Sequence, residues 1–186
     1  HAWLSRVDRP HRPDQLVFDL DPPGDDFEPV RRAAWQVGDA LRDAGLTPFV
    51  KTTGSRGLHV VAPLKPGADF DRVRRACRRL ADHLVARHPD ALTAEQRKNK
   101  RHGRLYLDIM RNAFGQTAVA PYAVRAKPGA PVATPLDWNE VNDADIGPRR
   151  YRVDNLFRRL GQKDDPWADM AHHAAYGPHA SNGSLP

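Results

Sequence analysis

The chain has 186 residues, 40% of them hydrophobic and 28% charged, the proportions of a globular chain large enough for one substantial core. Its 29 Lys and Arg against 23 Asp and Glu give a net charge of +6 and an isoelectric point near 9.8, so an anionic partner is expected, and the many arginines suit bidentate phosphate contacts. The single cysteine, Cys77, excludes an internal disulfide framework, no apolar run reaches membrane-spanning length and no secretory leader pattern opens the chain, so a cytoplasmic setting is expected.

In chain order, residues His1 to Gln15 carry Trp3, Arg6, Arg9, Arg12 and two prolines, and read as an extended or looped lead-in. Leu16 to Gly24, LVFDLDPPG, follows as a strand stopped by its prolines and glycine. Alternation along a strand puts Asp19 and Asp21 on one face and Phe18 and Leu20 on the other, with the two acid Cα atoms roughly 6.5–7 Å apart. Two carboxylates side by side on an apolar strand repel unless a cation sits between them, and an all-oxygen donor set suits Mg²⁺ or Mn²⁺. A strand end whose acids simply face water is the alternative. Pro29 to Ala44 reads as a helix with Val30, Ala33, Ala34, Val37, Ala40, Leu41 and Ala44 on its apolar face, and Gly45 ends it.

Leu46–Lys51 and Leu58–Pro63 read as two further strands. Between them lies KTTGSRGLH, Lys51 to His59, a turn whose N–H groups, hydroxyls and Arg56 can face an anion, with Gly54 and Gly57 letting a phosphate approach the backbone. An ordinary hairpin rich in turn residues is the alternative, and the Walker A spacing is absent. Asp69 caps a predicted helix to about Arg87, with Phe70, Val73, Ala76, Cys77, Leu80 and Leu84 inward and Arg72, Arg74, Arg75, Arg78 and Arg79 outward. A basic stretch, residues 91–103, leads into Leu105–Asn112, LYLDIMRN, read as a strand on which Asp108 shares a face with Tyr106. A third acid on a neighbouring strand would complete an oxygen cage for two metals. Gly115–Val124 reads as another strand ending at Arg125. The proline-rich stretch from Ala126 is irregular, Val153–Leu160 is a short helix, and residues after Trp167 are expected to be mobile. His172, His173 and His179 lack ligand spacing for zinc.

The ordered motifs LVFDLDPPG, KTTGSRGLH, RLYLDIMRN and APYAVR resemble the primase-like polymerase domain of bacterial ATP-dependent DNA ligase D, of the archaeo-eukaryotic primase superfamily. The resemblance runs from HAWLSRVDRP to DDPWADM. It implies an α+β fold, a primase-like catalytic core with a mixed or antiparallel sheet flanked by helices, occupying residues 1–170, with 171–186 a flexible tail. It implies that Asp19, Asp21 and Asp108 are the catalytic carboxylates and hold two Mn²⁺ or Mg²⁺ ions. Thr53, Ser55, Arg56 and His59 would surround the nucleotide's phosphates and sugar, Arg101 and Arg125 would lie near the triphosphate, and Arg111 near the nucleotide. The activity implied is nucleotidyl transfer from NTPs or dNTPs to DNA ends in bacterial non-homologous end joining, with Ku and a DNA ligase as partners.

The resemblance also implies a region upstream of the D-x-D strand that the sequence His1–Pro186 does not include. That region supplies a stacking aromatic, a histidine at the triphosphate and the cations that hold a DNA 5′-phosphate, so none of those roles is assigned. Two other readings stand beside the polymerase. One is a catalytically silent DNA-end-binding module. The other is a haloacid-dehalogenase-type phosphohydrolase, whose nucleophile loop also opens with FDLD but usually continues with glycine where Pro22 stands here.

Overall fold

The computed structural model describes residues 1–177. Its elements in chain order are β1 (Ala2–Trp3), β2 (Gln15–Asp21), α1 (Glu28–Asp43), β3 (Phe49–Thr52), β4 (Leu58–Lys65), α2 (Phe70–Arg87), β5 (Leu92–Thr93), β6 (Leu105–Asp108), β7 (Thr117–Ala118), β8 (Pro135–Leu136), α3 (Trp138–Val141), α4 (Val153–Leu160) and β9 (Ala175–Tyr176). The main sheet runs β5-β6-β2-β4-β3-β8, with β9 added along the end of β4. The β2–β4, β2–β6, β3–β4 and β3–β8 pairings are antiparallel, while β5–β6 and β4–β9 are parallel. The fold is therefore α+β with a mixed sheet, as the resemblance implied.

Alternation on β2 divides the molecule. Leu16, Phe18 and Leu20 point into the larger core, where they meet Leu105 and Leu107 of β6, Val30, Ala34, Val37 and Leu41 of α1, and Val73, Cys77, Leu80 and Leu84 of α2. Both long helices cover this one face. α1 ends as the sequence suggests: Gly45 takes φ +77°, its N–H bonds the Arg42 carbonyl and the Leu46 N–H reaches back to the Leu41 carbonyl, the double bond of a Schellman ending. α2 begins where Asp69 accepts the Arg72 N–H at 2.8 Å. Its buried residues include all six predicted apolar positions, and Cys77 is an ordinary core residue. On the opposite face of β2, Val17 joins a smaller cluster with Leu4, Val61, Phe70, Ala118 and Trp167. That cluster covers only part of the face, and the acids lie on the remainder.

Several boundaries differ from expectation. Residues 46–48 do not pair and β3 starts at Phe49, after Pro48. β6 ends at Asp108, whose Oδ1 accepts the Met110 N–H at 2.8 Å and turns the chain out of the strand. Gly115–Val124 is not one strand: Thr117 and Ala118 pair with β1 in a separate ribbon, and beyond them Val124 makes a single isolated bridge to Val132. Pro121 and the left-handed Tyr122, φ +59°, break any continuation. The lead-in holds β1, and residues 170–176, expected in a flexible tail, instead form a 3-10 turn and β9 against β4. His172 lies 3.6 Å from Asp169 and the His173 ring packs near Phe49; His179 lies outside the described residues.

Candidate active site

The register of four strands puts charged side chains in one row. Asp108 of β6 stands opposite Asp19 of β2, Asp19 opposite His59 of β4, and His59 opposite Lys51 of β3. Directly paired residues of antiparallel strands share a face, so the row faces away from the helices. Asp21 follows two positions along β2, opposite Tyr106. Asp19, Asp21, Asp108 and His59 border a cleft of about 270 Å³. Its walls also carry Thr53, Ser55, Arg56, Arg111 and Arg125, and Arg101 reaches the same place through Asp21. All ten residues proposed from the sequence thus converge on one site.

The carboxylates occupy different environments. Burial pushes Asp19 upward, but His59, Arg111 and Lys51 outweigh it and hold its carboxyl below the ordinary range; the His59 Nε2 lies 3.5 Å from Asp19 Oδ2. Asp108 is raised, first by burial and then by the negative charge of Asp19, although the Met110 N–H opposes both. Tyr106 is pushed up to about 12 by burial and by Asp108, toward which its hydroxyl points at 3.3 Å. His59 is lowered by burial and by Lys51, and burial lowers Lys51 to about 7.

Asp21 is bound differently. Arg56 lies 2.6 Å from one of its oxygens and Arg101 2.7 Å from the other. Arg101 is itself fixed by the Glu95 and Gln96 carbonyls and lies 4.1 Å over the Tyr106 ring. The three acids are therefore on one face of one cleft without forming a closed cage: among the described residues, no group of three acidic, histidine or cysteine side chains is close enough together to hold an ion. Asp19 and Asp108 do suit a hard divalent cation, since both offer oxygen and their mutual repulsion raises Asp108. Asp21 suits one only after its arginines let go.

In the KTTGSRGLH turn, the Thr53 hydroxyl accepts the Ser55 and Gly57 N–H groups and donates to the Gly57 carbonyl at 3.0 Å, so it organises the turn itself. Arg125 bonds the Thr53 carbonyl at 2.7 Å and Arg149 bonds the Ser55 carbonyl at 2.8 Å. The glycines serve packing. A Cβ on Gly57 would lie 1.8 Å from the Leu20 carbonyl oxygen, and Gly54 takes φ +63° with the Arg125 side chain against it. Close approach of β2, not of a phosphate, is what requires glycine at 57.

Three contributors were not singled out. In the sequence Lys51 is only the first residue of the KTTGSRGLH turn, Asn112 the last of LYLDIMRN and His1 the start of the lead-in. Asn112 is buried beside β2, its amide accepting the Val17 N–H and donating to the Val17 and Ile109 carbonyls. It extends the β2–β6 ladder beyond the last backbone pair. His1 reaches the cleft wall because β1 pairs with β7. Two-residue pairings between segments more than a hundred residues apart leave no local signal.

Three comparisons bear on this site. The sequence model of the family described as "LigD, primase-polymerase domain" matches residues 1–167. The chain is 35% identical over 176 residues to the multifunctional non-homologous end joining protein LigD of Pseudomonas aeruginosa, and 32% identical over 161 residues to the bifunctional non-homologous end joining protein LigD of Bacillus subtilis. Those alignments take in 92% and 86% of this chain but only 21% and 26% of the relatives. The fold is similar to the polymerase domain from Mycobacterium tuberculosis ligase D in complex with DNA, with a TM-score of 0.80 and 30% identity over 88% of this chain and 56% of that one.

Proposed function

The chain belongs to the LigD primase-polymerase domain family, a family of nucleotidyltransferases, and from that premise we propose that it extends DNA ends with NTPs or dNTPs during bacterial end joining. The observation that carries this reading is the placement of Asp19 and Asp108 side by side on neighbouring strands, with Asp21 beyond them between Arg56 and Arg101. In nucleotidyl transfer a primer 3′-hydroxyl attacks the α-phosphorus and pyrophosphate leaves, so negative charge must be balanced at both ends of the reacting line.

Asp19 and Asp108, joined by Asp21, would hold two Mn²⁺ or Mg²⁺ ions, which when bound lower the pKa of the attacking hydroxyl and offset charge on the leaving group. Arg56 and Arg101 already sit on a carboxylate, in the bidentate-capable form that suits phosphate. A triphosphate entering beside them competes for both guanidiniums, and the move would free Asp21 for a cation. Arg125 braces the turn through the Thr53 carbonyl, Arg111 adds positive charge near Asp19 and Asp108, and Ser55, His59 and Thr53 border the space left for the sugar and phosphates. His1 adds an imidazole at the rim. The protein bound to DNA in the similar structure is itself a ligase D polymerase domain, which supports DNA ends as the partner here; Ku and a DNA ligase complete the proposed assembly.

Primer extension with Mn²⁺ on a 5′-phosphorylated template end tests the reading. Extension by the wild type that Asp19→Ala abolishes supports it. DNA binding without extension in either protein instead supports the silent end-binding module. Turnover of a phosphate monoester without DNA would restore the phosphohydrolase alternative, against which family membership counts.

A further inference from the structure

Behind the acidic row is a second, smaller space of about 30 Å³, bordered by Lys51 and His59 together with Val17, Val61, Val119 and Trp167. Among the described residues only three buried side-chain polar atoms lack a hydrogen-bond partner, and two of them are here: Lys51 Nζ and His59 Nδ1. Both residues are almost wholly enclosed, at 2% and 3% exposure, and they stand directly opposite each other in the β3–β4 register. An orphaned buried polar group carries the full loss of its hydration, so two on facing positions at one small, otherwise mostly apolar space require an explanation.

Their chemistry is complementary. A lysine amine supplies donors, while a neutral imidazole with its proton on Nε2 leaves Nδ1 as an acceptor. The space exceeds the roughly 10–15 Å³ that one water needs. We propose that an ordered water sits in this pocket, accepting from Lys51 Nζ and donating to His59 Nδ1, and that Lys51 thereby fixes His59 as the Nε2–H tautomer aimed at Asp19. Lys51 is a positioning residue: buried and outside the lining of the cleft, it acts through the imidazole. The functional part of this inference rests on the polymerase reading, because it assumes that His59 borders the nucleotide; the water and the tautomer do not.

The test is long-range ¹⁵N–¹H NMR of the full chain with ¹⁵N-labelled histidine, the His59 signals being identified by their loss in His59→Gln. The wild type is expected to show the Nε2–H tautomer, with an Nδ1 shift displaced by a received hydrogen bond. Lys51→Met, which keeps the length but removes the donor, is expected to erase that displacement and mix the tautomers. Nucleotide addition should then fall roughly tenfold in kcat with DNA affinity unchanged. A wild-type Nδ1–H tautomer, or a pattern that Lys51→Met leaves unaltered, overturns the proposal. If Lys51→Met does not fold, a high-resolution crystal structure of the wild type decides: a water between the two nitrogens supports the proposal and a dry pocket defeats it. A wild type that shows the predicted spectra yet extends no primer refutes the polymerase reading and leaves the water site standing.

Discussion

Asn112→Ala removes the side chain that keeps β6 in register with β2. The amide makes three bonds: Oδ1 accepts the Val17 N–H at 2.9 Å, and Nδ2 donates to the Val17 carbonyl at 2.7 Å and the Ile109 carbonyl at 2.9 Å. All of these groups are in the sheet interior, where Asn112 is 1% exposed, so water cannot take over without opening the sheet. A buried donor left without a partner costs about 1–3 kcal/mol, and each orphaned carbonyl adds a smaller amount. We expect a total loss of about 3–4 kcal/mol. With an m-value of about 2 kcal/mol/M for urea, the midpoint should fall by about 1.5–2 M at unchanged m. Asn112→Asp keeps the acceptor but turns a carboxylate toward two carbonyls, so it should recover part of the loss only on acidification, as the acid protonates. Urea unfolding followed by circular dichroism reads both. A loss under about 1 kcal/mol for Asn112→Ala would refute the claim that this amide continues the ladder.

Other consequences are independent of that one. Gly57→Ala must displace the Leu20 carbonyl, 1.8 Å from the new Cβ, and should cost about 3 kcal/mol or more, whereas Gly24→Ala, with open space around it, should leave the melting temperature nearly unchanged. Glu140 is held down to about 2, burial being outweighed by Arg159, the Asp137 N–H and Lys163. Because its folded value is depressed, its contribution is complete above the unfolded value of 4.5 and is lost as pH falls toward 2. The gap in unfolding free energy between wild type and Glu140→Gln, about 1–2 kcal/mol for this partly exposed cluster, should be present at pH 6 and shrink steadily on acidification when read by urea unfolding; a gap that grows would reverse the sign. Arg101→Gln should raise the nucleotide KM roughly tenfold with primer affinity less affected, and equal changes in both would move Arg101 from the triphosphate to the DNA.

What was legible in the chain follows from how locally each feature is encoded. Strand alternation alone sets Asp19 and Asp21 on one face, and RLYLD places Asp108 on a strand, because two-residue periodicity needs no knowledge of partners. The helices were readable from their apolar steps and from Asp69 and Gly45 at their ends. The meeting of Asp108 with Asp19 was not local: it came from the family resemblance, and the β2–β6 register supplies it physically. The resemblance places Arg56 and Arg101 as cations near a phosphate, but their grip on Asp21 depends on two segments returning to it, 35 and 80 residues later. Gly57 was seen as a residue that admits a phosphate, and its reason is the Leu20 carbonyl on the neighbouring strand. In the sequence Lys51 merely opens the KTTGSRGLH turn, and only the β3–β4 pairing buries it. Pairing between distant strands is the physical quantity that sequence periodicity omits.

The account depends most on Asp19 and Asp108 acting as one cation site. Mn²⁺ titration followed by electron paramagnetic resonance, which counts the free ion, measures this without relying on turnover. The wild type should bind Mn²⁺ more tightly when a non-hydrolysable nucleotide is present, and Asp108→Asn and Asp19→Asn should each weaken that binding at least tenfold in properly folded protein. Affinity that is unaffected by either substitution would contradict the account.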